Sequence, residues 1–154
     1  MSKVAYNSSM NMKKSVLGKV VVMGLGHYSH GSGVSSAKYL AKKGYQVLVT
    51  DLLSKKELQK NVQALSKYEN VSFRLGGHRK SDFQNALFVA KNPRVPFYSP
   101  YLKGKKVTND IGLFLESIKN KNIFLIAVTG TRGKSTISTL IYSILKTADF
   151  PVHL

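Results

Sequence analysis

A strand, a glycine-rich turn, a helix and a second strand follow one another near the start of the chain. Residues 19–25 (KVVVMGL) form a β-branched apolar run that is typical of a buried strand. Glycines recur through residues 24–33, and apolar residues at helical spacing then lead to Gly44. A second strand is predicted over residues 45–50. Two strands joined through a helix pair in parallel with a right-handed crossover, so this βαβ unit predicts an α/β fold.

The rest of the chain continues the alternation of helices and strands. Ser54 and Glu57 have the spacing of a capping box ahead of a further helix. The later predicted elements are strands over 71–75 and 86–90, a helix around 111–118, a strand over 123–129 and a helix after residue 134.

A polar segment, Lys119 to Asn122, separates the last predicted strand and helix from the elements before them. We therefore expect a flexible N-terminal tail over residues 1–18 and a Rossmann-like parallel-sheet domain over 19–118. Residues 119–154 then begin a second domain. A lone strand, loop and helix cannot cover both faces of a sheet. They either join the first sheet or open a longer protein.

Composition excludes several classes of protein. The chain has 154 residues, of which 43% are hydrophobic, as in globular domains, and it contains no cysteine for disulfides, thiolate metal sites or a cysteine nucleophile. No run approaches the roughly 18 apolar residues of a membrane span, and because residues 1–18 are polar we expect no secretory signal there. The net charge of +17 comes mainly from dispersed lysines, which favours a solvated surface over a nucleic-acid interface.

The sequence TGTRGKST at residues 129–136 is typical of a phosphate-binding loop between a strand and a helix. Its N–H groups and the helix N-terminus can face phosphate oxygens, Lys134 can reach the β- and γ-phosphates, and the Ser135 hydroxyl can ligate Mg²⁺. The general G-x-x-x-x-G-K-[ST] pattern has glycine where this chain has Val128, so a glycine turn without a ligand is the alternative. The candidate ATP-binding residues are Gly130, Thr131, Arg132, Gly133, Lys134, Ser135 and Thr136.

This loop, preceded by IAV, resembles the ATP-binding loop of the Mur ligases, TGTxGKST, which also lacks the early glycine. Three upstream segments resemble the branch of that family that adds D-glutamate. They are LGGH with Asp82-Phe83, the segment 86–96 containing KNPRVP, and VTNDIGLFLE at 107–116. The resemblance covers about residues 19–154. It departs from the family pattern at Arg132, which is usually Asn, and at Arg94, which is usually Gly.

The resemblance implies a cytoplasmic, ATP-dependent ligase of peptidoglycan synthesis with ATP and Mg²⁺ as cofactors. Its substrates would be UDP-N-acetylmuramoyl-L-alanine and D-glutamate, joined through an acyl phosphate, with Lys134 as a catalytic residue. It further implies that this chain is the N-terminal part, inactive alone, which ends after the first strand, phosphate loop and helix of a central ATPase domain. The alternatives are another Mur-type ligase, a non-catalytic nucleotide-binding module or a basic nucleic-acid-binding protein.

The first glycine turn allows three interpretations. Gly24 and Gly26 begin a dinucleotide pattern, but Ser29 stands where G-x-G-x-x-G has its third glycine. A NAD or FAD site and a turn that serves packing alone are two interpretations. The resemblance implies the third, a site for the UDP part of the substrate. Its residues would be Gly24, Gly26, Ser29, Asp51 and Asn92, with Ser32 and Ser35 as further hydroxyl donors.

Overall fold

A computed structural model of the protein describes residues 17–154. The predicted N-terminal tail, residues 1–18, lies outside the described residues apart from Leu17 and Gly18. The chain divides into two compact units, one ending at Lys119 and the other running from Asn120 to Leu154. No helix within residues 17–154 combines the length and the apolar character needed to cross a membrane.

The first unit is built on a parallel sheet. Its strands lie in the order β3-β2-β1-β4-β5, and every neighbouring pair is parallel. The predicted α/β fold with a parallel sheet is therefore confirmed. In chain order the elements are β1 (Lys19–Met23), α1 (Ser32–Lys42), β2 (Gln46–Asp51), α2 (Gln59–Leu65), β3 (Val71–Leu75), a 3-10 turn (Lys80–Phe83), β4 (Val89–Lys91), β5 (Val107–Thr108) and α3 (Asp110–Ile118).

Strand addition reverses its direction at β1. The chain first places β2 and β3 on one side of β1 and then crosses to place β4 and β5 on the other side. In open parallel sheets, the loops that follow the two strands at such a switch point diverge and leave a crevice at the carboxyl ends. The loops after β1 and β4 therefore border the expected ligand position.

Strand β1 supplies apolar side chains to both faces of the sheet. Val20 and Val22 belong to the buried cluster that contains residues of α1 and α2. Val21 and Met23 belong to a second cluster, with Phe83. Side chains alternate across a strand, so a strand covered on both faces needs a continuous apolar sequence. This explains the VVVM run.

Helix α1 approaches the end of β1 closely through Gly33. A Cβ atom at this position would collide with the carbonyl oxygen of Gly24 and lie 2.6 Å from that of Leu25. Both obstacles are backbone atoms, which cannot move aside as a flexible side chain can. Glycine is therefore required for the helix to begin beside the turn.

Several element boundaries differ from the sequence predictions, most clearly those of α2 and β4. The Glu57 carboxylate accepts hydrogen bonds from the Ser54 N–H (2.8 Å) and hydroxyl (2.7 Å), but α2 begins only at Gln59. The capping box therefore closes a separate turn ahead of the helix. The strand predicted over 86–90 is shorter and displaced, because β4 pairs with β1 only from Val89.

The second unit contains α4 (Lys134–Thr147), preceded by a segment without assigned strand structure. The prediction of a strand over 123–129 is wrong for this structure. A strand is defined by hydrogen bonds to a neighbouring strand, and the described residues of this unit contain no such neighbouring strand. The apolar side chains of Ile137, Leu140 and Ile144 on α4 are correspondingly exposed.

Gly33→Ala should destabilise the first unit by about 2 kcal/mol or more, because the added methyl group meets backbone atoms that can separate only if α1 shifts. Urea unfolding followed by circular dichroism measures the loss. Ser35→Ala on the exposed side of the same helix is the control, with an expected change within about 0.5 kcal/mol. Equal stability of the Gly33→Ala and Ser35→Ala proteins would contradict the close approach.

Candidate functional site

A cleft of about 460 Å³ opens at the carboxyl ends of the strands of the first unit. Loops that follow four different strands line it, as expected for the crevice at a switch point. The lining residues are Gly24 to Tyr28, Gly31 and Ser32 after β1, Asp51 at the end of β2 with Leu52 and Leu53 after it, His78 after β3, and Asn92 to Val95 after β4.

The Asp51 carboxylate ties the glycine turn to the end of β2. Its Oδ2 atom accepts hydrogen bonds from the N–H groups of Leu25 (2.6 Å) and Gly26 (3.1 Å). Its Oδ1 atom accepts one from the N–H group of Leu53 (2.9 Å). Three N–H donors compensate the buried charge, because hydrogen bonds to an ionised group are stronger than neutral ones. Asp51 is therefore a brace of the cleft as well as one of its lining residues.

The first three residues of the glycine turn, Gly24 to Gly26, donate their N–H groups to other parts of the protein. The Gly24 N–H donates to the Thr50 carbonyl (2.8 Å), and those of Leu25 and Gly26 donate to Asp51. Gly24 and Gly26 have φ angles of +88° and +74°, a conformation that favours glycine. Their contribution in this structure is thus backbone conformation and space, and not N–H donors aimed into the cleft.

Asn92 lies directly against the glycine turn. A Cβ atom at Gly24 would be 2.8 Å from the Asn92 Cβ, so the turn and the β4 loop touch. The Asn92 N–H donates to the Met23 carbonyl (2.8 Å), and its Oδ1 accepts from the Arg94 N–H (3.0 Å). The side chain of Asn92 thus shapes the loop that carries Arg94.

Ser29 and Ser32, two of the candidate serines, differ in their positions. Ser29 is exposed and is not among the residues that line the cleft, so the structure does not bring it together with the other predicted residues. Ser32 does line the cleft, and its buried hydroxyl has no hydrogen-bond partner within residues 17–154. It stands at the first position of α1, whose N-cap residue, Gly31, provides no side-chain cap.

His78 is a lining residue that the motifs of the sequence did not assign to the site. Its Nδ1 atom lies 2.8 Å from the Thr50 hydroxyl, and its ring makes edge-on contacts with Phe83 and Tyr101. Burial lowers the pKa of His78, although the nearby carboxylates of Asp51 and Asp82 act in the opposite direction. The signals for His78 in the sequence are its place shortly after a predicted strand and its position at the end of the LGGH segment.

The predicted phosphate loop lies in the second unit. Gly130 and Gly133 have φ angles of +153° and +78°, and α4 begins at Lys134 immediately afterwards. The Lys134 ammonium group donates to the Gly130 carbonyl at 2.6 Å, which closes the loop on itself. Ser135 lies in the first turn of the helix. The described residues contain no group of three or more His, Cys, Asp or Glu side chains that could hold a metal ion.

A family model for the N-terminal domain of MurD-like Mur ligases matches residues 18–111, a range that contains every residue lining the cleft. The chain belongs to this family. The resemblance to the Mur ligases is thereby confirmed, and the cleft lies within the MurD-like domain.

Curated relatives agree with this family. The UDP-N-acetylmuramoylalanine–D-glutamate ligase of Borreliella burgdorferi (strain ZS7) is 43% identical over 128 residues, which are 82% of this chain and 27% of the relative. The enzyme of the same name from Treponema pallidum (strain Nichols) is 39% identical over 142 residues, 88% of this chain and 26% of the relative. The MurD-like chain thus spans about a quarter of the length of these relatives.

Asp51→Asn should destabilise the MurD-like domain by about 2 kcal/mol, because an amide has a single acceptor oxygen for three N–H donors. Urea unfolding measures this loss. Glu69→Gln removes the same charge from an exposed position and should change stability by less than about 0.5 kcal/mol. If both variants unfold at the same urea concentration, the hydrogen bonds to the Asp51 carboxylate do not stabilise the domain.

Stability should fall under mildly acidic conditions because of His78. Its pKa is lowered in the folded state, so the unfolded chain binds the proton more readily. The contribution of His78 is complete above its usual pKa of about 6.5 and is lost as pH falls towards the lower folded value. Urea midpoints across this range should show the loss in the wild type and a smaller one in His78→Gln. His153→Gln, at an exposed position, should retain the wild-type profile; an unchanged profile in His78→Gln would contradict the assignment.

Proposed function

We propose that the cleft of this MurD-like domain binds the UDP part of UDP-N-acetylmuramoyl-L-alanine. In this proposal the protein contributes to a cytoplasmic, ATP-dependent ligase that adds D-glutamate to that substrate in peptidoglycan precursor synthesis. The observation that carries it is the position of the cleft at the switch point of a domain whose curated relatives bear the name of that ligase.

The diphosphate would lie at the N-terminus of α1. The first N–H groups of an α-helix have no partner within the helix, and the helix dipole favours an anion there. The Ser32 hydroxyl supports this position, since it is a buried donor without an acceptor among the described residues. The Leu25 and Gly26 N–H groups already donate to Asp51, which favours the helix over these two residues of the turn as the phosphate binder.

The uridine would lie on the β2 side of the cleft. The Asp51 Oδ1 atom accepts only the Leu53 N–H in the described structure, which leaves acceptor capacity for a uracil N–H or a ribose hydroxyl. Leu52 lines the same side and is 70% exposed, so it offers apolar surface to a base. Asn92 would then bound the cleft on the β4 side. These placements give Gly24 and Gly26 a shaping role and leave Ser29 outside the cleft.

ATP would bind at residues 130–136. Its phosphates would take the place of the Gly130 carbonyl as the partner of the Lys134 ammonium group. The N–H groups of Thr131, Arg132 and Gly133 and the hydroxyl of Thr136 would complete the site. An oxygen ligand suits Mg²⁺, and Ser135 would provide one such ligand beside the oxygens of the phosphates. When bound, the ion offsets phosphate charge.

In the proposed reaction, ATP transfers its γ-phosphoryl group to the substrate carboxylate, which forms an acyl phosphate and releases ADP. The amine of D-glutamate attacks the acyl phosphate, and the tetrahedral intermediate releases inorganic phosphate and leaves an amide. The main physical difficulty is to bring a carboxylate and a triphosphate together against their repulsion. Lys134 and the N–H groups at the start of α4 would stabilise that negative charge, as positioned donors do in phosphoryl transfer.

A ligand panel tests the proposal. Isothermal titration of the 154-residue chain should detect UDP-N-acetylmuramoyl-L-alanine and UDP, whereas NAD and a mixed oligonucleotide should not bind. Lys134→Ala should weaken ATP binding and leave UDP binding unchanged, because the cleft lies in the other unit. Lys146→Ala, near the far end of α4, is the matched control and should retain ATP binding. Binding of NAD without UDP would contradict the proposed function of the cleft.

A further inference from the structure

The loop that follows β4 holds the backbone of Arg94 in place. The Asn92 Oδ1 atom accepts the Arg94 N–H (3.0 Å), and the Val95 N–H donates to the Asn92 carbonyl (2.9 Å). The Lys91 ammonium group donates to the carbonyls of Val95 (2.8 Å) and Asn92 (3.3 Å). Lys91 is only 5% exposed, so its ammonium group stabilises the loop and is too buried to contact a ligand.

The Arg94 side chain, in contrast, has no partner of opposite charge among the residues that the structure describes. It is exposed and lines the cleft. Within residues 17–154 the structure contains a single ion pair, between Arg74 and Asp82. Arg94 is also the only lysine or arginine among the residues that line the cleft. A fixed backbone thus presents one uncommitted guanidinium group at the edge of the cleft.

The charges around the cleft favour an anion beside Arg94. Asp51 is the only carboxylate among the lining residues, and three N–H donors already compensate it. The loop of Arg94 also adjoins the glycine turn, since a Cβ atom at Gly24 would lie 3.2 Å from a methyl group of Val95. The start of α1 and the guanidinium group therefore border the same cleft from its β1 and β4 sides.

We infer that Arg94 is a specificity-determining residue that binds the diphosphate of the nucleotide from the β4 side, opposite the N-terminus of α1. The inference rests on the proposed function of the cleft and adds a residue to it. A guanidinium group matches two phosphate oxygens at once, which a single ammonium charge does not. Arg94 accordingly makes the cleft prefer nucleoside diphosphates over the bare nucleoside.

Isothermal titration of the 154-residue chain with UDP and with uridine tests this role. Arg94→Gln should weaken UDP binding about tenfold or more, since a charge-assisted hydrogen bond is lost, and change uridine binding by less than about twofold. Arg94→Lys keeps the charge but lacks the guanidinium group that can bind two oxygens at once, so it should lose an intermediate amount of UDP affinity. Lys103→Gln removes an equal charge from an exposed position outside the cleft and should bind UDP as the wild type does.

The outcomes separate this inference from the proposed function. If the wild-type chain binds UDP and Arg94→Gln binds it equally well, the role of Arg94 is contradicted and the function of the cleft stands. An equal loss of UDP and uridine binding in Arg94→Gln also contradicts it, because it indicates a general change in the cleft. If the wild-type chain binds neither UDP nor UDP-N-acetylmuramoyl-L-alanine, the proposed function itself fails, and the inference fails with it.

Discussion

The cleft depends on the convergence of three backbone N–H groups on the Asp51 carboxylate. This interaction joins the turn after β1 to the end of β2 and keeps the glycine turn curled at positive φ angles. It also has a chemical consequence, since N–H groups bound to a carboxylate cannot bind a phosphate. We propose that the N-terminus of α1 and Arg94 bind the anion instead. A single buried carboxylate thus shapes the cleft and determines which donors remain free.

Much of the fold could be predicted because its signals are local. The VVVM run, the glycine turn and the periodic apolar residues up to Gly44 specify a βαβ unit, which implies a parallel sheet. In segment 123–129, local signals alone do not predict the structure correctly. Its sequence is as apolar as that of β1, yet it forms no strand, because a strand also needs a neighbour to pair with.

The candidate site could be predicted only in part. The sequence could predict that Gly24, Asp51 and Asn92 lie close together, because parallel strands bring their carboxyl ends to one edge of the sheet. All three residues line the cleft. The choice of Ser32 over Ser29 depends on where α1 begins, which the spacing of residues does not fix to within a turn. The hydrogen bonds that commit the N–H groups of the turn also depend on backbone angles that sequence patterns do not reveal.

The decisive measurement is a crystal structure of this chain with UDP-N-acetylmuramoyl-L-alanine. We expect the diphosphate to lie between Ser32 at the start of α1 and the loop of Arg94, with uracil beside Asp51 to Leu53. We also expect the Leu25 and Gly26 N–H groups still to donate to Asp51 in the complex. A diphosphate bound by those two N–H groups, with the Asp51 carboxylate displaced, would contradict it.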